Sequence, residues 1–203
     1  MAMRDHWQNV YATKSSASVS WFQAEALPSL AAIGKLRPAK NTAFIDVGGG
    51  ASTLVDALLA ADWNDVSILD IADSALAVPK ARLGAAAGRV NWIVADITTW
   101  HPARQYGLWH DRAVYHFLTT SEERDAYRTT LEAGLAKAGH LVLATFALDG
   151  PDKCSGLPVQ RHDAASVQRE IGPNFRLLET WPQSHETPSG NIQKFNWCLF
   201  QRI

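Results

Sequence analysis

A short apolar run that ends at an acidic residue and three glycines constrains this chain more than any other feature. Residues 43–47 read Ala-Phe-Ile-Asp-Val, and Gly48, Gly49 and Gly50 follow directly. The run predicts a buried strand, and the glycines predict a turn whose bare backbone lets a ligand approach closely. Helical spacing starts near Ser52, and helix N-terminal amides favour an anion such as a carboxylate or a phosphate. The segment therefore predicts a strand, a binding turn and a helix.

Strand and helix patterns alternate after this turn. Apolar runs predict further strands at 66–71, 90–95, 107–115 and 140–146. Helical spacing is predicted in three segments, which are 52–60, Asp73 or Ser74 (as the cap) to about Leu83, and Ser121 to about Lys137. This alternation is typical of a parallel sheet with helices on both faces, so the predicted fold class is an α/β three-layer sandwich.

The last part of the sequence has a different pattern. Strand-like runs at 175–181 and 194–202 are joined by a segment, 183–193, that is rich in turn-forming residues and too short for a helix. These runs predict an antiparallel hairpin added to the parallel sheet. Because the 203 residues contain no repeat and no domain linker, we predict one domain, 1–203.

Composition narrows the classes of partner. The formal net charge is −1, so no basic excess points to nucleic acid, and no apolar run is long enough to span a bilayer. Residues 1–14 lack the apolar stretch of a signal peptide. Cys154 and Cys198 are too few for a disulfide framework. We expect a cytoplasmic protein with reduced thiols and with neither nucleic-acid nor membrane partners.

Two more acidic residues follow predicted strands. Asp70 ends the second strand, and Asp96 comes just after the third. A carboxylate at Asp70 can accept hydrogen bonds from both hydroxyls of a ribose, and one at Asp96 can accept a bond from an adenine amino group while a neighbouring amide binds the ring. Alone, each acid is as well explained as a helix cap or a turn former. Together with the glycine turn they predict a nucleoside site.

Two classes of nucleoside ligand fit such a turn. A dinucleotide site prefers the pattern Gly-x-Gly-x-x-Gly, and here Thr53 occupies the third glycine position. A dehydrogenase usually also brings a second domain for its substrate, for which this chain has little room. An NAD-type oxidoreductase therefore stays as an alternative, and the order Asp-x-Gly-x-Gly from Asp46 favours the other class.

The chain resembles the class I S-adenosylmethionine (SAM)-dependent methyltransferase family over about 44–203. FIDVGGGAS is similar to the family's first motif, ILDIADSAL to its second, VADITTW to its adenine-binding segment and LWHDRAVYHFL to its fourth motif. AKAGHLVLATF resembles the passage into the fifth strand, although Ala138 stands where a glycine is common. The resemblance implies a Rossmann-like fold with seven strands, mostly parallel with an antiparallel last strand, and SAM as the cofactor.

The resemblance also implies residue roles. Asp46 and the three glycines would hold the methionine part of SAM, Asp70 the ribose, and Asp96 the adenine edge. Ile71 and Ile97 would contact the adenine ring. The full set of predicted cofactor contacts is Tyr11, Trp21, Asp46, Gly48, Gly49, Gly50, Asp70, Ile71, Asp96, Ile97 and Asp111.

The N-terminal segment carries a second, more specific resemblance. Trp7 and Tyr11 have the spacing of a Trp-x-x-x-Tyr segment that begins some bacterial methyltransferases and some protein lysine methyltransferases. In those enzymes an N-terminal arm closes over the cofactor, which implies that residues 1–40 form a helical arm on a core of residues 41–203. Tyr11 and Trp21 are the predicted contacts, and the alternative is that these aromatic side chains only anchor the arm.

Three residues near the end of the fourth strand are the catalytic candidates: His110, Asp111 and His116. His110 alternatively bonds to backbone, and His116 alternatively packs in the core. The long 149–163 loop is predicted to be a lid or a wall of the acceptor pocket, with Cys154 either an acceptor-site thiol or without a role. No histidine and cysteine spacing indicates a metal site.

These observations predict a SAM-dependent methyltransferase with a small-molecule acceptor. A protein lysine methyltransferase is the nearest alternative, because of the N-terminal arm. A protein that binds SAM without catalysing transfer is a third.

Overall fold

The structure, a computed structural model, describes residues 2–203 and is built on nine strands and six helices. The strands are β1 Phe44–Val47, β2 Val66–Asp70, β3 Val90–Val94, β4 Tyr106–Arg112, β5 Leu135–Phe146, β6 Lys153–Cys154, β7 Leu157–Pro158, β8 Phe175–Glu186 and β9 Ile192–Arg202. The helices are α1 Ala2–Thr13, α2 Leu27–Leu36, α3 Leu54–Ala60, α4 Asp73–Leu83, α5 Ser121–Gly134 and α6 Ala164–Ile171.

Seven strands form one sheet in the order β3-β2-β1-β4-β5-β9-β8, and β6 and β7 form a separate two-stranded hairpin. The pairs from β3 to β5 are parallel, whereas β9 is antiparallel to both of its neighbours, β5 and β8. The predicted fold class is therefore confirmed, including the antiparallel last strand.

Two hydrophobic clusters lie on the two faces of the sheet, because alternate side chains of a strand point in opposite directions. Phe44 of β1 belongs to the cluster that includes helix α3, and its neighbour Ile45 belongs to the cluster that includes Leu131 of helix α5. Every residue of β1 and β2 is buried, as expected of central parallel strands covered on both faces. This arrangement leaves the carboxyl ends of the strands as the edge where polar side chains reach solvent.

The terminal hairpin is longer than the sequence predicts. β8 and β9 continue into the segment 183–193 that was predicted to be a turn, and they pair as far as Glu186 and Ile192. Only Thr187 to Asn191 form the turn, closed by the Thr187 N–H donating to the Asn191 carbonyl at 2.8 Å. The turn-forming residues of this segment therefore did not mark where the strands end.

The start of helix α4 also differs from the prediction, and the difference involves helix α1. Neither Asp73 nor Ser74 is the N-cap; the capping position is Ala72, which has no side chain suited to the task. Instead the Ser74 N–H donates to Gln8 Oε1 at 2.9 Å, and the Ser74 hydroxyl donates to the Gln8 carbonyl at 3.2 Å. A residue of α1 thus caps α4 and fixes the N-terminal helix beside the strand ends.

The other helix ends follow local sequence rules more closely. Helix α5 begins with a capping box between Thr120 and Glu123, and it ends at Gly134, before the predicted Lys137, because β5 starts there. Helix α6 begins with a second capping box, from Asp163 to Ser166. In residues 2–203, we find no helix that is both long and apolar enough to cross a membrane.

Candidate active site

Two adjoining cavities lie where the carboxyl ends of β1, β2, β3 and β4 meet beneath helix α1. The larger cavity has a volume of about 160 Å³ and the smaller one about 60 Å³. Tyr11, Trp21, Gly48 and Arg112 border both of them, so the two cavities share a wall. Ligands of open α/β sheets bind at this edge.

The glycine turn after β1 has a conformation that requires glycine. Gly48 and Gly50 have positive φ angles of 69° and 31°. A Cβ on Gly48 would lie 2.0 Å from Val114 Cγ2, and one on Gly49 would lie 2.8 Å from Asp46 Oδ2. The turn therefore packs against Asp46 of β1 and Val114 after β4, and a side chain larger than a hydrogen atom does not fit.

The amides of this turn are less free than the sequence predicts. The N–H groups of Gly48 and Gly49 donate to the Leu69 carbonyl at 2.7 and 3.2 Å, and the Leu54 N–H donates to Ser52 Oγ at 3.1 Å. The expected anion site at the start of helix α3 is therefore partly occupied by bonds within the protein.

Asp70 is a buried carboxylate at the larger cavity. Its Oδ1 accepts the Ala72 N–H at 2.9 Å, and its Oδ2 lies beside Gly50, close to the Tyr11 hydroxyl. Burial, opposed by backbone hydrogen bonds and reinforced by the charge of Asp46, raises the pKa of Asp70 to about 7. The hydroxyl groups of a ligand would stabilise this carboxylate, because they supply hydrogen bonds in place of those to water that burial removes.

Asp96 borders the same cavity at the end of β3. Its Oδ1 accepts two hydrogen bonds from Thr98, from the backbone N–H at 2.9 Å and from the hydroxyl at 2.7 Å. These bonds fix the orientation of the carboxylate. Ile71 and Ile97 border the cavity too, so the structure brings together the predicted ribose and adenine contacts.

Asp46 and His110 border the smaller cavity as a bonded pair. His110 Nδ1 lies 2.7 Å from Asp46 Oδ1, and His110 Nε2 lies 3.0 Å from Ser29 Oγ. Both ring nitrogens of His110 are therefore held by the protein. The ring orients Asp46, and it has no free nitrogen with which to accept a proton from an acceptor.

Aromatic side chains from helix α1 and the segment after it line the site. Trp21 Nε1 donates to the Tyr11 hydroxyl at 3.2 Å, and the Trp7 ring makes edge contacts with Trp21 and Phe117 at centroid distances of 5.4 and 5.2 Å. Tyr11 and Trp21 border both cavities, and they also pack on one another. Their contact with a cofactor stays a prediction, and so does the alternative that they only anchor the arm.

Asp111 does not reach either cavity, which contradicts its predicted place beside the cofactor and the acceptor. Asp111 is completely buried; its Oδ1 accepts the N–H groups of Val114 and Tyr115 at 2.9 and 3.3 Å, and its Oδ2 accepts the Tyr127 hydroxyl at 2.9 Å. The physical reason is strand alternation, because Asp111 points to the opposite face of β4 from His110. Its contacts stabilise the turn that follows β4.

His116 is also wrongly placed as a catalytic residue. It is completely buried between the Phe117 and Phe146 rings, its Nδ1 accepts the Phe146 N–H at 3.3 Å, and it borders neither cavity. Burial, together with the charges of His162 and Arg112, lowers the pKa of His116 to about 3. The neutral ring belongs to the core, which was the alternative interpretation.

Arg112 is a site residue that was not among the predicted catalytic or cofactor-binding residues. It is the last residue of β4 and borders both cavities. The signal that could have found it is the period of two along a strand, since Arg112 shares a face with His110. Lysine and arginine residues at predicted strand ends are candidate site residues in the same way as acidic residues and histidines.

The 149–163 loop contributes a wall to the larger cavity. Its β6–β7 hairpin places the buried thiol of Cys154 at the cavity, and burial raises the pKa of this thiol to about 11. His6 Nε2 of helix α1 lies 3.3 Å from Ser155 Oγ, so the arm and the loop meet. That the loop opens as a lid stays a prediction.

Another histidine and the second cysteine lie in the terminal hairpin and have structural roles. His185 Nε2 lies 2.8 Å from the Ser20 carbonyl oxygen and so ties the terminal hairpin to the N-terminal segment. Cys198 is a free, buried cysteine in β9. Across residues 2–203, no three or more histidine, cysteine, aspartate or glutamate side chains are grouped as a metal site would need.

No protein-family model matches the sequence, and no curated protein sequence matches it. Solved structures are similar to it in fold. A SAM-dependent methyltransferase from Anabaena variabilis has a TM-score of 0.79 at 17% identity, covering 100% of this chain and 96% of that one. The N-methyltransferase NodS from Bradyrhizobium japonicum, in complex with S-adenosyl-L-homocysteine, has a TM-score of 0.70 at 14% identity, with 98% and 99% covered.

A third solved structure contains both a cofactor product and an acceptor. It is the 1,6-didemethyltoxoflavin-N1-methyltransferase from Burkholderia thailandensis, with bound 1,6-didemethyltoxoflavin and S-adenosylhomocysteine. Its TM-score is 0.72 at 13% identity, with 98% of this chain and 87% of that chain covered. The chain therefore has the fold of class I SAM-dependent methyltransferases.

Proposed function

We propose that this protein is a SAM-dependent methyltransferase that acts on a small molecule. The observation that carries the proposal is the placement of three acids, Asp46, Asp70 and Asp96, at successive strand ends around two adjoining cavities. Those are the positions from which carboxylates bind the amino, ribose and adenine groups of an adenosyl ligand. Structures of the same fold with bound S-adenosylhomocysteine support this assignment.

The chain's own residues would bind and orient the two reactants. Asp70 would accept the ribose hydroxyls, Asp96 and the Ile97 amide would bind the adenine, and Asp46, held by His110, would bind the methionine ammonium. SAM itself supplies an activated methyl group on a sulfonium, so the protein mainly has to align the acceptor and exclude water.

The absence of an available base among the predicted catalytic residues favours particular acceptors. His110 has both nitrogens bonded, while Asp111 and His116 lie outside the cavities. An acceptor that is already nucleophilic at neutral pH, such as a thiol, an acidic hydroxyl or an unprotonated nitrogen, would need no strong base. An ammonium group would need one.

The covered site favours a small acceptor over a protein side chain. Helix α1 is fixed to helix α4 through Gln8 and Ser74 and lies near the β6–β7 hairpin through His6 and Ser155. An acceptor has to fit beneath this cover. The neighbour with bound 1,6-didemethyltoxoflavin supports the same acceptor class.

A protein lysine methyltransferase is the second candidate, and its support is the N-terminal Trp7 and Tyr11 segment. The two buried, unpaired cysteines support a reducing, cytoplasmic location.

The test is a calorimetric titration of the purified protein with SAM, S-adenosylhomocysteine and NAD, followed by turnover with radiolabelled SAM. The acceptors are small thiols, phenols and heterocyclic amines, and a lysine-containing peptide. We expect SAM and S-adenosylhomocysteine to bind, NAD to fail, and a small acceptor to be methylated. Binding of NAD alone refutes the proposal, transfer only to the peptide supports the lysine alternative, and binding without transfer to any acceptor indicates a silent SAM-binding protein.

A further inference from the structure

Arg112 has a guanidinium that the protein only partly uses. Its Nη1 donates to the Trp21 carbonyl at 3.2 Å. Its Nε and Nη2 are buried, and within residues 2–203 neither has a hydrogen-bond partner. Buried donors of a charged group are costly to leave unpaired, so a ligand that pairs them gains that free energy.

The two unpaired nitrogens lie on the same edge of the planar guanidinium. Nε–H and one Nη2–H point in parallel, which is the geometry in which arginine binds both oxygens of a carboxylate. Burial lowers the pKa of the guanidinium only to about 10, so it stays protonated at neutral pH. No acidic side chain of the described chain makes an ion pair with it, because the nearby Asp46 is bonded to His110.

The guanidinium extends from β4 towards β9, and Arg112 also borders the smaller cavity beside the glycine turn. Its Cζ lies 5.0 Å from the ring centroid of Phe195, which is on β9, whereas the glycine turn follows β1 on the other side of β4. Cys154 of the 149–163 loop borders the larger cavity, as Arg112 does. The guanidinium therefore lies on the side of the site nearer to β9 and the 149–163 loop.

From this geometry we infer that the acceptor carries a carboxylate, or a planar anion of the same shape, which Arg112 binds through Nε and Nη2. The inference rests on the proposed function, since it names the class of acceptor for the same site. Arg112 would hold the acceptor by its anionic end beside the rings of Trp21 and Phe117, which border the same cavity.

The competing occupant is the carboxylate of SAM's own methionine part. Two ligands distinguish it, because S-adenosylhomocysteine has this carboxylate and 5′-methylthioadenosine lacks it. If Arg112 binds the acceptor, Arg112→Met leaves the affinity for both nucleosides within about three-fold of wild type. If Arg112 binds the methionine carboxylate, the variant weakens S-adenosylhomocysteine by ten-fold or more and spares 5′-methylthioadenosine, which overturns the inference.

The direct test compares acids with neutral molecules of equal size. Benzoate and benzyl alcohol form one pair, and mercaptoacetate and 2-mercaptoethanol form the other. Binding is measured by calorimetry and by quenching of tryptophan fluorescence, with and without saturating S-adenosylhomocysteine. We expect the wild-type protein to bind the acid of at least one pair about ten-fold more tightly, and Arg112→Met to lose this preference.

Two further variants are controls for this interpretation. Arg104→Met removes an exposed arginine that pairs with Asp65 at the surface, and it should keep the preference for the acid. Arg112→Lys keeps the charge without the two-point edge, so it should retain only part of the preference, and it serves if Arg112→Met does not fold. No preference in either pair, or a preference that survives Arg112→Met, overturns the inference. Wild-type protein that fails to bind S-adenosylhomocysteine instead refutes the proposed function, and the comparison without this ligand still tests Arg112.

Discussion

The ends of β2 and β4 both carry a buried aspartate, and the two side chains have different surroundings. Asp70 of β2 borders the larger cavity, and the Tyr11 hydroxyl of the covering arm lies close to it. Asp111 of β4 is surrounded by protein, with both oxygens bonded to the turn after β4 and to Tyr127. Burial raises the pKa of both acids, to about 7 and about 6. A carboxylate with a raised pKa therefore identifies a ligand site only where it borders a cavity.

The largest effect expected from this comparison is on ligand binding by Asp70→Ala. Loss of a charged acceptor of two hydroxyl hydrogen bonds costs about 1.5–3 kcal/mol for each bond, so affinity for S-adenosylhomocysteine should fall by about 100-fold or more. Calorimetry measures it. Asp125→Asn, at an exposed carboxylate paired with Arg128, is the matched control and should bind like wild type. An Asp70→Ala affinity within three-fold of wild type contradicts the assignment of the ribose site.

Asp111→Ala should show the opposite pattern, with a large effect on stability and a small one on binding. Removal of this carboxylate leaves two amides and a buried hydroxyl without their acceptor, which should lower the free energy of unfolding by about 2–4 kcal/mol. Urea denaturation measures this loss. Asp111→Asn keeps an oxygen that accepts from the amides, so its free energy of unfolding should fall by less. A ten-fold weaker affinity for S-adenosylhomocysteine in the folded variant would return Asp111 to the binding site.

The raised pKa of Asp70 predicts a smaller, pH-dependent effect. The ionised carboxylate accepts from both ribose hydroxyls, and protonation below pH 7 removes part of this capacity. Affinity for S-adenosylhomocysteine should therefore rise by about ten-fold from pH 6 to pH 8 if the titration of one group controls it. Asp70→Asn should bind weakly at both pH values. A wild-type affinity that is flat across this range contradicts the role of Asp70.

The same pKa has the opposite consequence for the stability of the ligand-free protein. The unfolded chain has an aspartate pKa of about 3.9, so the folded protein holds the Asp70 proton more tightly. The stability contributed by this proton is present below about pH 4 and is lost as the pH rises through 7. Asp70→Asn should therefore raise the melting temperature more at pH 8 than at pH 4. An equal shift at both pH values argues against a raised pKa.

The smallest effect is expected from His116→Phe. The neutral ring lies between two phenylalanine rings, so a phenyl ring of similar shape keeps this packing but leaves the Phe146 N–H without its acceptor, and the free energy of unfolding should fall by about 1–2 kcal/mol. The pH profile of methyl transfer should keep its shape. Loss of one limb of that profile would restore His116 as a general base.

The fold was predictable because its signals are local and repeated. Apolar runs, glycine turns and helical spacing identified the parallel strands, and the resemblance implied the antiparallel last strand. The proposed cofactor contacts could be predicted because residues such as Asp46 and Asp70 lie where a strand ends. There the position along the chain alone determines the place in the fold.

The acceptor half was not predictable in the same way, because it depends on which face of β4 a side chain occupies. His110 and Arg112 share one face and Asp111 the other, and the sequence analysis named His110 and Asp111 as candidates without distinguishing their faces. The capping of Ser74 by Gln8 joins segments that are distant in the sequence, so no local rule identifies it. The long hairpin shows that pairing in the sheet overrides weak turn preferences.

The place of β9 has a consequence for the order in which the domain is assembled. β9 is the last strand of the sheet in the sequence, yet it lies between β5 and β8, and its Trp197 and Phe200 are completely buried. β8 leaves the ribosome first but has no sheet edge to join until β9 has paired with β5. Completion of the sheet therefore waits for its last-synthesised strand, because β9 pairs with β5 through contacts that are distant in sequence and slow to form. A nonsense mutation before Ile192 would thus remove one strand from the chain and two from the sheet.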